Sequence, residues 1–393
     1  MSDRIDAWKA RACAAVDAQR AALVDLSGRI HEHPELSFNE HAAAGRLADF
    51  LEGAGFAVER QAYGLPTAVA ARIGHGRPRV AILCEYDALP DIGHACGHNI
   101  ICAAGAGAGA ALVDTIKETG GSVVVLGTPA EEGGGGKILM AERGAFADVD
   151  SAIMVHPAGM DVTGMHVLAV SQIQVEYRGR AAHASAFPHR GINALDALVT
   201  AYNAVAQLRQ HIRPTERIHG IITNGGQAPN IVPDRAGGLF YVRAEDAARL
   251  ARLKERVSAC FRAGALATGA EVDIRAVGPD HTDMRTNTPL AESYRRNLER
   301  LDRKVLDLRD VPNAFAGSTD MGNVSQLVPA IHPMIAVSPP SVPLHSVEFA
   351  TWAGSEEGHR AVVDGAKGLA MTALDVLADP GFLAAVKDAF GRA

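Results

Sequence analysis

The 393-residue sequence lacks any long apolar run. No stretch approaches the roughly 18 consecutive apolar residues that a membrane-spanning helix requires. The first residues include Asp3, Arg4, Asp6, Lys9 and Arg11 and contain no apolar segment typical of a secretion signal. These absences predict a protein that has no membrane partner and is located in the cytoplasm.

The sequence also lacks the cysteine framework of a disulfide-stabilised protein. Its five cysteines are an odd number and form no C-x-x-C pair, which favours reduced thiols. The formal net charge is -7, with acidic and basic residues well mixed, so no basic surface for nucleic acid is expected. With 48% hydrophobic residues the chain has ample material for a large core, and its length favours two domains.

Strands and helices alternate in the first part of the chain. The apolar spacing predicts two opening helices, over residues 8–31 and 40–54. The elements predicted next are strands at 67–73, 80–86, 122–127 and 152–156 and helices at 100–117 and 138–144. This alternation is typical of a parallel sheet covered by helices.

The pattern changes after about residue 167. Residues 172–177 alternate strictly between polar and apolar side chains, as in a half-exposed strand of an antiparallel sheet. The elements predicted here are a strand (168–178), a helix (191–212), two strands (217–223 and 236–243), a helix (246–267) and a strand (271–276). The order βαββαβ predicts a ferredoxin-like domain.

Mixed α/β character returns from residue 287, with a helix at 290–301, a strand at 330–337 and a long helix at 353–377. The fold class we predict is therefore α/β, with a mostly parallel sheet flanked by helices and an inserted ferredoxin-like domain. Residues 1–167 and 287–393 would form the larger domain, and residues 168–286 the insertion.

Five potential metal ligands are spread over this sequence, most of them beside predicted strand ends. They are Cys96, His98, Glu132, His156 and His345. The carboxyl ends of parallel strands meet at one edge of a sheet, where catalytic groups collect. Thiolate and imidazole together suit zinc. An isolated Cys-x-His is more often a buried thiol beside a surface histidine, but the combination predicts a metallohydrolase.

Two adjacent carboxylates, Glu131 and Glu132, follow one of these strands. Such a pair is costly unless a positive charge lies between them. One carboxylate can bind a metal while the other acts as a general base towards water. Asp87, after the strand at 80–86, is a candidate acceptor that orients a ligand imidazole.

Two glycine-rich patterns resemble nucleotide-binding motifs, but each lacks a feature that the motif requires. Gly133–Gly136 with Lys137 resembles a phosphate loop, yet Ile138 replaces the required Ser or Thr. The Gly105-x-Gly107-x-x-Ala110 pattern lies within a predicted helix, without a strand before it. Neither pattern predicts a nucleotide ligand.

A set of motifs resembles metallopeptidase family twenty, which includes aminoacylase, carboxypeptidase G, indoleacetyl-amino-acid hydrolases and aminobenzoyl-glutamate hydrolase. The motifs are DALPDIGHACGHN, TPAEEGGGG, a strand-terminal histidine, GRAAHAS (179–185), NIVPD (230–234) and a late HS-x-EF. The resemblance covers nearly the whole chain. It implies a catalytic domain with two divalent metal ions, zinc or manganese, and an inserted lid and dimerisation domain that forms a homodimer.

The resemblance also implies roles for particular residues. Cys96 would bridge the two ions, His98 and His156 would complete one site, and Glu132 and His345 the other. Glu131 would be the general base. The more widespread family pattern begins with His-x-Asp, whereas this chain has Glu85-Tyr86-Asp87, a departure that is similar to the cysteine-bearing subfamily.

Three residues of the inserted domain resemble family positions that serve the substrate. His183 is similar to the histidine that reaches the partner subunit's site and stabilises the oxyanion. Asn230 and Arg243 resemble residues that hold the substrate's carboxylate or carbonyl.

These observations predict an amidohydrolase for N-acyl amino acids, dipeptides or aminobenzoyl-glutamate-like conjugates. A metal-activated water would attack the amide carbonyl, with Glu131 transferring its proton to the leaving amine. The alternatives are a hydrolytic deaminase of an aromatic amine and a non-catalytic metal-binding assembly protein.

Overall fold

The computed structural model describes residues 2–311 and 317–392. Met1, residues 312–316 and Ala393, which the predicted larger domain includes, lie outside the described residues. The chain divides into two compact units, one made of Met1–His166 with Met284–Ala393 and one made of Val167–Asp283. We call these the first and the second unit.

The first part of the chain alternates between helices and strands. Its helices are α1 (Ser2–Ala18), α2 (Arg20–Glu32), α3 (His41–Gly53), α4 (His98–Ala111), α5 (Val113–Thr119) and α6 (Gly136–Glu142). Its strands are β1 (Ala57–Arg60), β2 (Val69–His75), β3 (Arg79–Glu85), β4 (Gly121–Thr128), β5 (Ser151–Ile153) and β6 (His156–Ala158). Two predicted helices are each divided, at Gln19 and at Leu112. Neither residue is a glycine or proline, so the sequence contains no helix-breaking residue that would mark either division.

The second unit has the predicted βαββαβ order. Its elements are β7 (Ala169–Arg178), α7 (Ala194–Leu208), β8 (Arg217–Asn224), β9 (Arg235–Ala244), α8 (Ala247–Thr268) and β10 (Glu271–Ala276). The sheet order is β10-β7-β9-β8, and each neighbouring pair is antiparallel. Side-chain caps begin both helices: Asn193 accepts from the Leu195 N–H, and Asp246 accepts from the Arg249 N–H. The ferredoxin-like topology is therefore confirmed.

The last part of the chain returns to the first unit. Its elements are α9 (Thr288–Glu299), α10 (Met321–Ser325), β11 (Ala330–Ile331), β12 (Met334–Ala336), α11 (Val347–Ala353), α12 (Glu356–Ala378) and α13 (Pro380–Arg392). The prediction of one strand over 330–337 is wrong, because the chain forms two strands on either side of His332 and Pro333. Proline has no N–H with which to continue a ladder. The predicted strand 152–156 is likewise divided into β5 and β6.

The six-stranded sheet of the first unit is mixed. Its order is β1-β2-β4-β3-β5-β11, and the strands from β4 to β11 are parallel. β2 runs antiparallel to β4, and β1 antiparallel to β2. Only residues 76–78 join β2 to β3. A crossover between parallel strands needs a much longer connection, so the short one fits the opposite directions of β2 and β3. A separate two-stranded parallel ladder joins β6 and β12.

Helix α4 is buried along its whole length and packs against β3, α2 and α12. A Cβ at Gly105 would lie 2.5 Å from the Cys84 Sγ and 2.9 Å from the Leu83 carbonyl oxygen. Glycine at this position allows the helix to approach β3 closely. The small residues of the 100–117 segment are thus explained by packing, and they place the start of α4 near the end of β3.

Within the described ranges, no single helix is long and apolar enough to cross a membrane. Two bent pairs, α4 with α5 and α12 with α13, pass the criterion of length and composition only when each pair is taken together.

Candidate active site

The five predicted metal ligands converge in the first unit. Three groups of donor atoms each lie within 4.8 Å of one another. The groups are Cys96 with His98 and His156, Cys96 with Glu132 and His345, and His98 with Glu131 and Glu132. Because Cys96 belongs to two groups, its sulfur lies between two sets of nitrogen and oxygen donors.

Local backbone geometry brings these residues together. Gly97 has φ 74° and stands between Cys96 and His98, at the start of α4. A Cβ there would lie 2.5 Å from the Pro157 Cγ, so only glycine fits the close approach of this loop to β6. His345 also has a left-handed backbone, with φ 61°, and its N–H donates to the Ala95 carbonyl at 2.9 Å.

The donor distances fit metal coordination. Cys96 Sγ lies 3.3 Å from His156 Nε2, and His345 Nε2 lies 3.4 Å from Glu132 Oε1. Two donors on one tetrahedral zinc ion, each about 2.0–2.3 Å from it, are roughly 3.3–3.7 Å apart. The His98 Nε2 and Glu132 Oε1 atoms are buried and have no hydrogen-bond partner among the described residues. Such atoms are normally satisfied, and a cation would satisfy both.

Asp87 contacts two residues of this cluster. Its Oδ1 lies 3.0 Å from His98 Nδ1, and its Oδ2 accepts from the Glu132 N–H at 2.9 Å and from the Ser37 hydroxyl at 3.2 Å. Because Nδ1 of His98 is engaged, Nε2 is the nitrogen that faces the other donors. This carboxylate–imidazole arrangement is typical of residues that fix metal ligands.

The carboxylates of the site repel one another. Burial raises the pKa of Glu131 well above its ordinary value, and Glu85 and Glu132 raise it further. Burial also lowers the pKa of His156 to about 4, so its imidazole is neutral near pH 7. A neutral imidazole is the form that binds a metal, and a cation among the carboxylates would favour their ionised forms.

A buried ion-pair network adjoins the ligands and escaped the sequence analysis. The Lys137 Nζ lies 2.6 Å from Glu85 Oε1 and 2.5 Å from Asp320 Oδ1, and all three side chains are fully buried. The second oxygen of Glu85, Oε2, lies 3.4 Å from His98 Nε2. Burial raises the pKa of Glu85, but Lys137 and then His98 outweigh it and bring the value to about 2.

A sequence signal for Glu85 existed, because a carboxylate at the end of an apolar strand needs a partner. Lys137 follows the glycine run that resembles a phosphate loop, and nothing in the sequence links it to Asp320.

His332 is a second residue that the sequence analysis missed. Its ring centroid lies 5.2 Å from that of His156, and both of its nitrogens are buried without a hydrogen-bond partner in the described part of the chain. Burial and the neighbouring His156 lower its pKa to about 3, so it packs as a neutral ring. His332 lies inside the single strand that the sequence predicted over 330–337, so the pattern did not mark it as a residue at a strand end.

The second unit contains the three remaining candidates. His183 is exposed and forms an isolated bridge with Ile231, and the Ala184 N–H donates to the Asn230 carbonyl at 3.0 Å. The structure thus brings His183 and Asn230 into neighbouring segments. Arg243 lies on β9, and its Nε donates to His219 Nε2 at 3.4 Å.

Comparison with known proteins identifies the family. The peptidase dimerisation domain model matches residues 170–268, within the second unit. The Xaa-Arg dipeptidase of Mus musculus is 41% identical over 98% of this chain and 93% of its own length. The chain belongs to the M20 peptidase family. As a member of the M20 family, the protein is a metal-dependent amidohydrolase, as the sequence analysis predicted.

A second relative and a solved structure are also similar to this chain. One of the p-aminobenzoyl-glutamate hydrolase subunits of Escherichia coli is 31% identical over 94% of this chain and 92% of its own length. A Bacillus subtilis protein described as a dinuclear metal-binding peptidase from the M20 family has the same fold. Its TM-score is 0.70 at 20% identity, covering 92% of this chain and 99% of that chain.

Proposed function

We propose that this M20 enzyme hydrolyses dipeptides and N-acyl amino acids with two divalent metal ions, zinc or manganese. The observation that carries the proposal is the cluster of donor groups that share Cys96. The named relatives include an Xaa-Arg dipeptidase, an aminobenzoyl-glutamate hydrolase and the N-acetyl-L-cysteine deacetylase of Bacillus subtilis. Their named reactions all break a linear amide.

The ligands divide into two sets around the shared thiolate. His98 and His156 would hold one ion with Cys96, and Glu132 and His345 would hold the other. The 3.3 Å and 3.4 Å donor distances support this division. Ions bound there would polarise the substrate carbonyl and make water a better nucleophile.

Glu131 is the proposed general base. Its Oε2 lies 4.0 Å from His98 Nε2, close enough for the carboxylate to face a water molecule beside the ligands. Glu131 takes the proton of the attacking water and delivers it to the nitrogen of the leaving amine. Proton transfer by a positioned carboxylate contributes about 100-fold to 10,000-fold to such reactions.

His183, Asn230 and Arg243 serve the substrate in this proposal. The Ala186 N–H donates to His183 Nδ1 at 3.1 Å. In the neutral ring the proton is then on Nε2, which makes Nε2 a hydrogen-bond donor. A donor of this kind can stabilise negative charge on the carbonyl oxygen, while Asn230 and Arg243 hold the carboxylate or carbonyl.

The second unit is the proposed lid and dimerisation domain. β8 lies at the edge of its sheet and exposes Ile221 and Ile222, whose exposed fractions are 63% and 44%. Exposed apolar residues on an edge strand are rare unless another surface covers them. We therefore place the homodimer contact at this edge.

The five cysteines are all free, which suits a reducing compartment such as the cytoplasm.

The proposal is tested with enzyme that has been stripped of metal and reloaded with defined zinc or manganese. We expect hydrolysis of dipeptides and N-acyl amino acids to require about two ions per subunit and to stop with chelator. Release of ammonia from an aromatic amine, without cleavage of any amide, would contradict the proposal and favour the deaminase alternative.

A further inference from the structure

An apolar cavity of about 400 Å³ lies in the first unit. Ligand pockets typically measure about 300–1,000 Å³. Its walls include Ala158, Val162, Met165, Met334 and Leu344. Among the described residues that line it, none is an aspartate, glutamate, lysine or arginine; the polar side chains are those of Ser341 and of His166, whose Nε2 lies 3.2 Å from the Val311 carbonyl oxygen. The cavity is therefore suited to an uncharged, apolar group.

The walls of this cavity belong to the segments that carry two candidate metal ligands. β6 begins with His156 and ends with Ala158, and Met334 is the register partner of His156 in the β6–β12 ladder. Leu344 directly precedes His345 in the sequence. His156 and His345 thus adjoin, in the ladder and along the chain, residues that line this cavity.

We propose that the cavity binds the apolar side chain on the acyl side of the scissile amide, an inference that rests on the proposed function. The leaving residue of a dipeptide or N-acyl amino acid carries a carboxylate, which would favour a cation in its pocket. An apolar side chain on the acyl side, such as that of leucine, methionine or phenylalanine, contains only carbon, hydrogen and sulfur. Burying it adds favourable free energy without leaving a charge unpaired.

The cavity accepts more than one side-chain shape. Met160, Met165 and Met334 all line it, and methionine is unbranched, flexible and able to repack around different partners. We therefore expect leucine, methionine and phenylalanine to be accepted on the acyl side with similar efficiency. Glycine leaves the cavity unfilled, and aspartate brings an unpaired charge into it.

The test measures kcat/KM for two dipeptide series with the metal-loaded full-length enzyme. In one series the acyl-side residue is Gly, Ala, Leu, Met, Phe or Asp, and the leaving residue is kept as Arg or as Glu. In the other series the acyl-side residue is kept as Leu and the leaving residue varies. From Gly to Leu on the acyl side, kcat/KM should rise roughly tenfold or more, and Asp should lie below Gly.

Met160→Glu tests the cavity directly. It should lower kcat/KM for Leu on the acyl side at least about tenfold and raise it for Lys on the acyl side, because the new carboxylate pairs with the ammonium. Met284→Glu is the matched control, since Met284 is also half-buried but packs against a different core. The control should leave the ratio between the Leu and Lys substrates unchanged.

The outcomes separate this inference from the proposed function. If no amide is cleaved in either series, the proposed function fails. If amides are cleaved but only the leaving residue sets kcat/KM, or if Met160→Glu changes both substrates equally, the acyl-side assignment is wrong. A reversed preference in Met160→Glu supports it even when the variant is less active overall.

Discussion

Glu131 and Glu132 are adjacent in sequence, but their surroundings differ. The Glu132 N–H is held by Asp87, and its carboxylate faces His345. Burial raises the pKa of Glu131, and the nearby carboxylates of Glu85, Glu132 and Asp320 raise it further. Both carboxylates lie about equally far from His98 Nε2, at 4.0 Å and 3.8 Å, but only the contacts of Glu132 with Asp87 and His345 fix it as a ligand in the proposal, which leaves Glu131 to move a proton.

Replacing Glu131 by alanine should abolish turnover and leave the metal in place. We expect kcat to fall roughly 100-fold or more, because the change removes proton transfer. Metal content by mass spectrometry should stay at the wild-type level, whereas Glu132→Ala should lose metal. Equal metal loss in the two variants would contradict this division of roles.

Cys96→Ser should weaken metal retention. A serine hydroxyl is a poorer ligand for zinc than a thiolate, so the ion should leave faster on dialysis against chelator. Cys102→Ala is the control, since Cys102 is fully buried within α4 and belongs to none of the donor groups. Full metal retention and activity in Cys96→Ser would show that Cys96 is only a core thiol.

Lys137→Met should destabilise the protein. The change leaves Glu85 and Asp320 buried without their ammonium partner, and removing one member of a buried ion pair typically costs about 3–5 kcal/mol. Urea denaturation measures the loss in free energy of unfolding. The double variant with Asp320→Asn should recover part of it, and an unaltered single variant would contradict the pairing.

At the scale of elements, the long periodic segments of the second unit were predictable from sequence, whereas the 13-residue α13 and several short strands of the first unit were not. Each element of the second unit was predicted, since its alternating strands and one-sided helices repeat over many residues. β5, β6, β11 and β12 have two or three residues each, too few to establish a period. Each of the two consecutive pairs was predicted as a single strand, and His332 lies between the two strands of the second pair.

Local sequence patterns also predicted only part of the candidate site. Cys96, His98, Glu132, His156 and His345 were all candidates from their residue types, but only the first four also lie near predicted strand ends; His345 lies in a loop before a helix. The pairing of Lys137 with Asp320 spans a long stretch of sequence, and no local pattern encodes such a contact.

The edge strand β8 provides a test of assembly. We expect Ile221→Lys to shift the protein from dimer towards monomer, because a lysine on an edge strand disfavours pairing with another chain. Light scattering at several concentrations measures the change. Leu327→Lys is the control, since Leu327 is 54% exposed but lies in the first unit; dimers that persist in Ile221→Lys would place the contact elsewhere.

At the scale of the whole molecule, the role of His183 is testable by combining subunits. If His183 serves the partner subunit, the His183→Ala and Glu131→Ala homodimers should each be nearly inactive. A heterodimer of the two has one site with both groups intact and should recover about half of the wild-type rate, because each donor acts within one site.

Differently tagged, co-expressed subunits purified as the heterodimer provide the measurement. Mixed subunits that are no more active than either homodimer would exclude the cross-subunit role and leave a site completed within one chain.

The donors that share Cys96 are also far apart along the chain, since His345 follows Cys96 only after the whole second unit. Closing so long a loop costs conformational entropy, and an unfolded chain does not hold these donors near one another. Ions that bind only the folded state shift the folding equilibrium by mass action. Metal supply would then set the stability of the native enzyme as well as its activity, since chelation removes the free energy of binding from the folded state.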